Sequence, residues 1–341
     1  MRKGKVRIGI IGCGGIANGF HLRDLSQIPE AEVVAYADIN RASAEETAKR
    51  WKKYWRKYFV TDDYKKLLEQ DLDAVIVATY HETHARIAAD ALRAGKHVLV
   101  QKPLTTRMED ADELVEVANE HRDLKVQCLP YNWTEAYKEA KRLIDDGAIG
   151  RPCQARRRIA HSGPARDSWF YNPDIAKFGA SFDMGVYAVS GMTGLLGPAV
   201  SVSGLVGTFE EGIRIDDNAT WQLKFENGAF GTAETSWTQL ISVEPTIVYG
   251  TDGVLLLDSF MDPLRVFRRT SGVSFSSRGR WYVPMLPEDP PAAPHRHFID
   301  CILKDERPLG TPEHARHVVE IMLAAHESNR TGKRVELRTR F

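Results

Sequence analysis

The stretch VRIGIIGCGGIA, residues 6–17, decides the fold. Its first six residues are mostly apolar or β-branched and predict a buried strand, and the glycines that follow predict a tight turn into a helix. Such a turn lets backbone approach a pyrophosphate, and the helix N-terminus offers free N–H groups to the anion. The stretch therefore predicts a dinucleotide site that includes Gly12, Gly14, Gly15, Ile16 and Ala17.

Strand-like and helix-like segments alternate from this stretch to about residue 128. The apolar runs are VRIGII, EVVAYAD, DAVIVAT, HVLV and KVQCL, and amphipathic segments such as RASAEETAKRW separate them. This alternation predicts an α/β fold with a doubly wound parallel sheet, whose ligands bind beyond the carboxyl ends of the strands. Residues 129–341 change to mostly strand-like runs with a few helices, and they predict a second, α+β domain.

The second strand-like run ends in Asp38, about 20 residues beyond the glycines, where an acid accepts hydrogen bonds from the adenosine ribose. A carboxylate there would repel the extra phosphate of NADP, so NAD is the expected cofactor and NADP the less favoured one. Arg41 lies close enough to contribute to the same site. The alternative role for Asp38 is to cap the following helix.

The next two strand ends bring polar side chains to the same edge. Thr79, Tyr80, His81 and His84 follow one strand, and Gln101 and Lys102 follow the next. Pro103 restricts the backbone of the residue before it and so fixes where the ammonium points. We expect all six side chains beside the cofactor, with Lys102 near a substrate oxygen; a solvent-facing lysine and an exposed histidine are the alternatives.

The second half supplies an acid and a phenol four residues apart, Asp183 and Tyr187, in a segment predicted as a helix from Ser181 onward. Such spacing projects both side chains from one helical face. The alternative is a core tyrosine and an acid that stabilises a helix N-terminus. Tyr131, Trp169 and Asn172 are expected to shape a substrate site, on their position alone.

Composition excludes several function classes. The 341 residues include 46 acidic and 46 basic ones, so nothing indicates nucleic acid or an anionic membrane as a partner. No apolar run reaches the roughly 18 residues of a membrane span. Four widely spaced cysteines indicate a reducing cytoplasm, and the scattered histidines lack the carboxylates of a metal site. The basic and aromatic segment RWKKYWRKYF, residues 50–59, is expected to be a surface helix.

These motifs together resemble the Gfo/Idh/MocA oxidoreductase family. The resemblance rests on GIIGCGGIA, the strand ending in Asp38, T-x-x-x-x-H from Thr79 to His84, Lys102-Pro103 and D-x-G-x-Y from Asp183 to Tyr187. It implies a Rossmann domain over residues 1–128 and an α+β domain over 129–341 with a large open, mainly antiparallel sheet. It also implies a homodimer or homotetramer formed through that sheet, and a carbohydrate or polyol substrate.

The resemblance further implies hydride exchange between a nicotinamide and a carbinol carbon, with Lys102, Asp183 and Tyr187 as catalytic residues. Gln101 stands where the family's E-K-P motif has glutamate, and Tyr187 stands where many members have histidine, which is similar to the tyrosine-bearing branch. We expect the ammonium of Lys102 and the phenol of Tyr187 to converge over the nicotinamide. Two alternatives are an enzyme that cleaves or epimerises glycosides with tightly held, internally recycled NAD, and a non-catalytic sensor of NAD and sugar.

Overall fold

The computed structural model describes residues 4–130, 134–240, 246–257, 263–269 and 279–341. The strands within these ranges are β1 Val6–Ile11, β2 Ala31–Ala37, β3 Phe59–Thr61, β4 Ala74–Val77, β5 His97–Val100, β6 Val126–Cys128, β7 Pro152–Ala160, β8 Ala199–Gly207, β9 Asn218–Phe225, β10 Phe230–Ser236, β11 Thr246–Gly250, β12 Gly253–Leu257, β13 Arg265–Arg269, β14 Gly279–Tyr282 and β15 Val335–Glu336.

The α-helices in the same ranges are α1 Leu22–Leu25, α2 Arg41–Trp51, α3 Tyr64–Leu68, α4 His84–Arg93, α5 Met108–Glu120, α6 Glu135–Asp145, α7 Pro173–Ala176, α8 Ala180–Asp183, α9 Gly185–Leu196, α10 Ala293–Lys304 and α11 Pro312–Thr331. A π-helical turn, Ala17–His21, precedes α1, and short 3-10 turns cover His81–Thr83 and Trp169–Tyr171.

The chain divides into two compact units, Met1–Tyr131 with Pro290–Arg316, and Asn132–Asp289 with His317–Phe341. The first crossing lies near the boundary predicted at residue 128, but the prediction of one continuous second domain differs from this division. Residues 290–316 return to the first unit because α10 is apolar on one side. Its Phe298, Ile299 and Ile302 join the same buried cluster as Val6 and Ile8.

The first unit contains a six-stranded sheet in the order β3-β2-β1-β4-β5-β6. Every neighbouring pair is parallel, and the order reverses between β1 and β4, as in a doubly wound sheet. The predicted Rossmann architecture is therefore confirmed. The reversal places the glycine turn after β1 and the turn after β4 side by side at one edge.

The start of helix α2 follows from a capping residue in the local sequence, but its end does not follow from the local sequence. It begins after Asn40, whose side-chain oxygen accepts a hydrogen bond from the Ala42 N–H, and it ends at Trp51. The expectation of a surface helix over residues 50–59 is wrong, because the chain leaves the helix after Trp51 and enters β3 at Phe59. Burial of Trp55 accompanies this departure.

The second unit contains a nine-stranded sheet in the order β14-β13-β12-β11-β7-β10-β9-β8-β15. Among the described strands of this nine-stranded sheet, only β7 and β10 pair in parallel, so the prediction of a mainly antiparallel sheet is confirmed. Strand β9 alternates buried and exposed residues, which means that one face of the sheet packs inward. The Glu226-Asn227-Gly228 turn joins β9 to β10, with Gly228 at a φ of 87°.

All four cysteines are free, and only Cys153 is exposed. In the part of the chain that the structure describes, no helix has the length and apolar character that crossing a bilayer requires.

Candidate active site

The glycine turn after β1 has the geometry of a phosphate-binding loop. Gly12 has a φ of 91°, and an added Cβ would lie 2.3 Å from the carbonyl oxygen of Ala78, so only glycine fits there. An added Cβ at Gly14 or Gly15 would meet nothing within 4 Å. Backbone therefore borders open space at the start of the helix, where a pyrophosphate can approach the N–H groups.

Asp38 is tied to this turn. One carboxylate oxygen accepts a hydrogen bond from the Cys13 N–H at 2.8 Å, and the other accepts one from the Asn40 N–H at 2.9 Å. The cap of α2 is Asn40, not Asp38, so the alternative role of the acid does not apply. A carboxylate has about four acceptor positions, which leaves Asp38 able to accept from a ribose hydroxyl as well.

Cys13 lies inside the turn as a thiol. Burial, with a smaller contribution from the charge of Asp38, raises its pKa to about 12. The residue is buried, and its sulfur faces the carbonyl oxygen of Ala37. It is a packing residue and not a nucleophile.

Arg41 is occupied on its own helix. Its guanidinium Nε lies 2.9 Å from a carboxylate oxygen of Glu45, one turn further along α2. Burial plays little part in this exposed pair; the hydrogen bond to Glu45 raises the pKa of Arg41. The positive charge of Arg41 is therefore already paired with Glu45 when no cofactor phosphate is bound.

Apolar side chains stand exposed along the same edge. Ile16 follows the glycine turn, Ile39 follows Asp38, and Tyr80 follows β4, and all three are exposed, Ile39 to 83%. Exposed apolar groups together at one place indicate a surface that a ligand covers. Ile16 and Tyr80 were among the predicted site residues and Ile39 was not, although its position directly after Asp38 in the sequence is a usable signal.

His84 joins two of the edge turns. Its side chain is buried, with Nδ1 2.8 Å from the carbonyl oxygen of Pro103 and Nε2 2.9 Å from that of Thr79. Burial lowers the pKa of His84 against the opposing effect of these two carbonyls, and the charge of Lys102 lowers it further. The ring holds the turn after β4 against the turn after β5. His84 therefore positions the neighbours that were predicted to contact the cofactor.

The turn after β5 presents Lys102. Gln101 is buried, and its side-chain oxygen accepts a hydrogen bond from the Lys102 N–H at 2.7 Å. The peptide bond between Lys102 and Pro103 is cis. Lys102 is partly buried in this turn, at the carboxyl edge of the sheet. Thr79 lies on the preceding turn with its hydroxyl 2.7 Å from that of Thr83, and the neighbouring His81 is buried.

In the second unit, Asp183 and Tyr187 lie in two short helices. The single helix predicted from Ser181 is interrupted at Met184, with Asp183 at the end of α8 and Tyr187 in the first turn of α9. Gly185 explains the interruption, because an added Cβ there would lie 2.1 Å from the Trp221 ring, so the chain must turn closely over β9. Asp183 is buried and Tyr187 half-buried.

Two residues that the sequence analysis missed contact Asp183. The indole N–H of Trp237 donates to its carboxylate at 3.2 Å, and His161 Nε2 lies 3.9 Å from the same oxygen. His161 Nδ1 accepts a hydrogen bond from the Gly163 N–H, so neutral His161 carries its proton on Nε2. The acid is thus held between a fixed donor and a group that can carry a proton. Their separations along the chain, 22 and 54 residues, gave no local signal.

The three residues predicted to shape a substrate site do not share one structural role. Trp169 stacks on Phe170 with ring centroids 4.2 Å apart, and both pack against the small core cluster around Trp237. Asn172 caps α7, since its side-chain oxygen accepts from the Asp174 N–H. Tyr131 lies outside the described residues. In the described ranges, no three His, Cys, Asp or Glu side chains group in a way that could hold a metal ion.

Comparison with known proteins bears on both units. Residues 6–128 match the sequence model "Oxidoreductase family, NAD-binding Rossmann fold", and residues 137–256 match "GFO/IDH/MocA C-terminal domain". Among curated proteins, the chain is 27% identical over 351 residues to scyllo-inositol 2-dehydrogenase (NAD(+)) of Bacillus subtilis (strain 168), covering 98% of this chain and 96% of that one. It is 25% identical to myo-inositol 2-dehydrogenase of Thermotoga maritima, covering 97% and 98%.

Solved structures show the same likeness. GenD2 from gentamicin A biosynthesis, solved in complex with NAD, superposes with a TM-score of 0.81 at 25% identity, covering 98% of this chain and 97% of that one. Levoglucosan dehydrogenase, solved with NADH and L-sorbose, reaches a TM-score of 0.83 at 21% identity, covering 98% and 99%, and supports the fold alone.

Proposed function

We propose that this chain, which belongs to the Gfo/Idh/MocA family of NAD-binding oxidoreductases, exchanges hydride between a nicotinamide and a carbinol carbon of a sugar or polyol. The observation that carries the proposal is the glycine turn, where Gly12 tolerates no side chain and Gly14 and Gly15 border open space. The curated relatives include inositol and D-xylose dehydrogenases, which supports a polyhydroxylated substrate.

The residues at the carboxyl edge fit a dinucleotide. The N–H groups around Gly14 and Gly15 would hold the pyrophosphate, and Asp38 would accept from the adenosine ribose. Ile39 and Tyr80 supply exposed apolar surface for flat rings. The cofactor, when bound, supplies the hydride donor or acceptor.

We propose NAD over NADP. The Asp38 carboxylate would repel a ribose phosphate, and Arg41, the nearby cation, is paired with Glu45. Titrating the protein with NADH and NADPH by fluorescence tests this directly. We expect at least tenfold tighter binding of NADH, and Asp38→Ser should narrow that difference; equal affinities in the wild type would contradict the assignment.

For the proton we assign roles by chemistry. Lys102 stabilises the developing alkoxide, and Tyr187 exchanges the hydroxyl proton as the general acid or base. Asp183, held by Trp237, orients the substrate or the lysine. Hydrogen bonds to a charged group contribute about 1.5–3 kcal/mol, enough to fix one orientation.

The decisive experiment is a panel of sugars, polyols and glycosides, with NADH absorbance and product analysis on the same samples. Lys102→Met should abolish turnover while NAD affinity stays within about threefold. Tyr187→Phe should lower kcat by about 10²–10⁴. In the double variant the two losses should not add, because residues that act as a unit are non-additive.

The same panel separates the alternatives. Product formation from a glycoside without net NADH would replace the dehydrogenase by an enzyme that recycles its NAD. Tight NAD binding without turnover across the panel would replace it by a sensor. Turnover that survives Lys102→Met would overturn the assigned roles.

The nine-stranded sheet supports a homo-oligomer, and we propose that its open face forms the interface. Exposed apolar side chains lie on that face by strand register: Leu205 is opposite Thr220, and a cross-strand row runs from Phe230 through Tyr249 to Trp281. Apolar groups in such rows indicate a surface that another subunit covers. Light scattering should give a dimer or tetramer, and Phe230→Lys should shift it to a smaller species.

A further inference from the structure

Two histidines of the first unit are buried and form a hydrogen bond with each other. His21 ends the π-helical turn that follows the glycine motif, and His295 lies near the start of α10. His21 Nδ1 is 2.8 Å from His295 Nε2, and neither side chain is exposed to solvent. The contact joins positions 274 residues apart.

Asp24 extends this pair. Its carboxylate lies 3.2 Å from His295 Nδ1 and also receives the guanidinium of Arg23. Burial raises the pKa of Asp24, but the neighbouring His295 and Arg23 outweigh it, so the pKa is lowered and the acid stays ionised. A charged acceptor therefore stands at one end of the row Asp24, His295, His21.

The acceptor at that end favours one arrangement of the protons along the row. The Asp24 carboxylate, 3.2 Å from His295 Nδ1, attracts a proton to that nitrogen electrostatically, although the contact lacks the geometry of a hydrogen bond. With the His295 proton on Nδ1, its Nε2 is the acceptor and His21 donates from Nδ1. His21 Nε2 is left as a lone pair, and it has no hydrogen-bond partner in the described part of the chain. Burial, with the nearby His295 and His84, lowers the pKa of His21 and keeps the ring neutral.

The turn held by His21 is continuous with the cofactor loop. The side-chain amide of Asn18 donates to the carbonyl oxygens of Cys13 and Gly14, both at 3.1 Å, and its oxygen accepts from the Trp51 indole at 3.0 Å. The path from Gly14 to His21 is thus braced by Asn18, and its second part, Ala17–His21, is π-helical, a conformation enriched at functional sites. Its far end is fixed by the bond to α10.

We propose that His21 and His295 are positioning residues for dinucleotide binding. Their buried hydrogen bond, with the Asp24 carboxylate beside His295, holds the turn after the glycine motif against α10. The inference rests on the proposed function, since it concerns the same cofactor. The inference gives segment 290–316, which returns to the first unit, a role in cofactor binding. Neither the sequence motifs nor the comparisons assign that role to this segment.

The test compares two substitutions at one position. An asparagine side chain would offer its amide where His21 Nδ1 lies, so His21→Asn keeps the donor, whereas His21→Leu fills similar space without it. We expect His21→Leu to raise the Kd for NAD about tenfold, the effect of one buried hydrogen bond, and His21→Asn to stay within about threefold. Calorimetric titrations are run where circular dichroism shows all proteins folded.

His317→Leu is the matched control. His317 is another fully buried histidine, in the second unit, with Nε2 accepting from the Ala199 N–H and Nδ1 2.9 Å from Thr339 Oγ1. Its loss should lower stability and leave the Kd for NAD unchanged. If His21→Leu behaves like this control, the role of His21 is only structural and the inference fails.

Two further measurements cover a variant that does not fold. At position 295, glutamine keeps an acceptor for His21 and leucine does not, so His295→Leu should weaken NAD binding more than His295→Gln. Nitrogen-15 NMR of the wild type should show neutral His21 with its proton on Nδ1; a proton on Nε2 would overturn the inference. Wild-type protein that binds no NAD at all would refute the proposed function and leave the NMR result to decide the network.

Discussion

Acid should destabilise the first unit through its buried histidines. Burial is the main cause that lowers the pKa of His21, His84 and His97, and the charges of His295, Lys102 and Lys125 respectively add to it. In the unfolded chain the same rings titrate near 6.5. Below that pH the unfolded state binds more protons than the folded state, so the free energy of unfolding falls as the pH falls.

The size follows from the shifts. For a histidine that stays neutral when folded, moving from pH 7.5 to 5.5 costs about 1.4 kcal/mol. His21, whose pKa is lowered furthest, loses up to this amount, and His84 and His97 each add a smaller loss of stability. In the second unit, burial lowers the pKa of His326, so that unit should lose stability in the same direction as the pH falls.

Urea titrations followed by circular dichroism at the two pH values measure this loss. Between pH 7.5 and 9 stability should be flat with respect to these rings. The His21→Asn variant cannot titrate, so its loss between pH 7.5 and 5.5 should be smaller than that of the wild type by up to about 1.4 kcal/mol. Equal stability of the wild type at both pH values would refute the reasoning, and so would an undiminished loss in the variant.

Three substitutions test other contacts. Gly12→Ala should cost about 3 kcal/mol or more in urea titrations and abolish NAD binding, because its Cβ would overlap the Ala78 carbonyl; Gly19→Ala, whose Cβ meets nothing, is the control. His84→Leu should raise the Kd for NAD about tenfold by calorimetry, since two turns lose their link. Trp237→Phe should lower kcat/KM by about 10–100-fold with NAD affinity unchanged, because the indole no longer holds Asp183; unchanged kinetics would contradict that role.

Much of the first unit could be predicted because its local patterns agree with the fold. The predicted bounds of β1, α2 and β5 match the structure, since apolar runs, the 3.6-residue period and the Asn40 cap act within a few residues. Strand β3 and helix α3 escaped prediction because three and five residues are too short to show a period. The glycine turn was predictable because one residue, Gly12, alone satisfies its backbone.

The rest depends on long-range contacts. Trp237 and His161 reach Asp183 only after β7 and β10 pair, and His295 reaches His21 only after the chain returns to the first unit. Neither of these long-range contacts produces a periodic pattern in the sequence that could predict it. The break at Met184 likewise follows from Trp221 packing over Gly185, which no local propensity contains.

The return of residues 290–316 has a consequence for synthesis in the cell. The N-terminal sheet leaves the ribosome early, yet Phe298, Ile299 and Ile302, which complete its core, are translated some 170 residues after residue 131. At roughly 5–20 residues per second that gap lasts about 10–30 s, during which an apolar surface stands open on the nascent chain. We therefore expect chaperones to bind the nascent chain in that interval, and fragments truncated before residue 290 to aggregate.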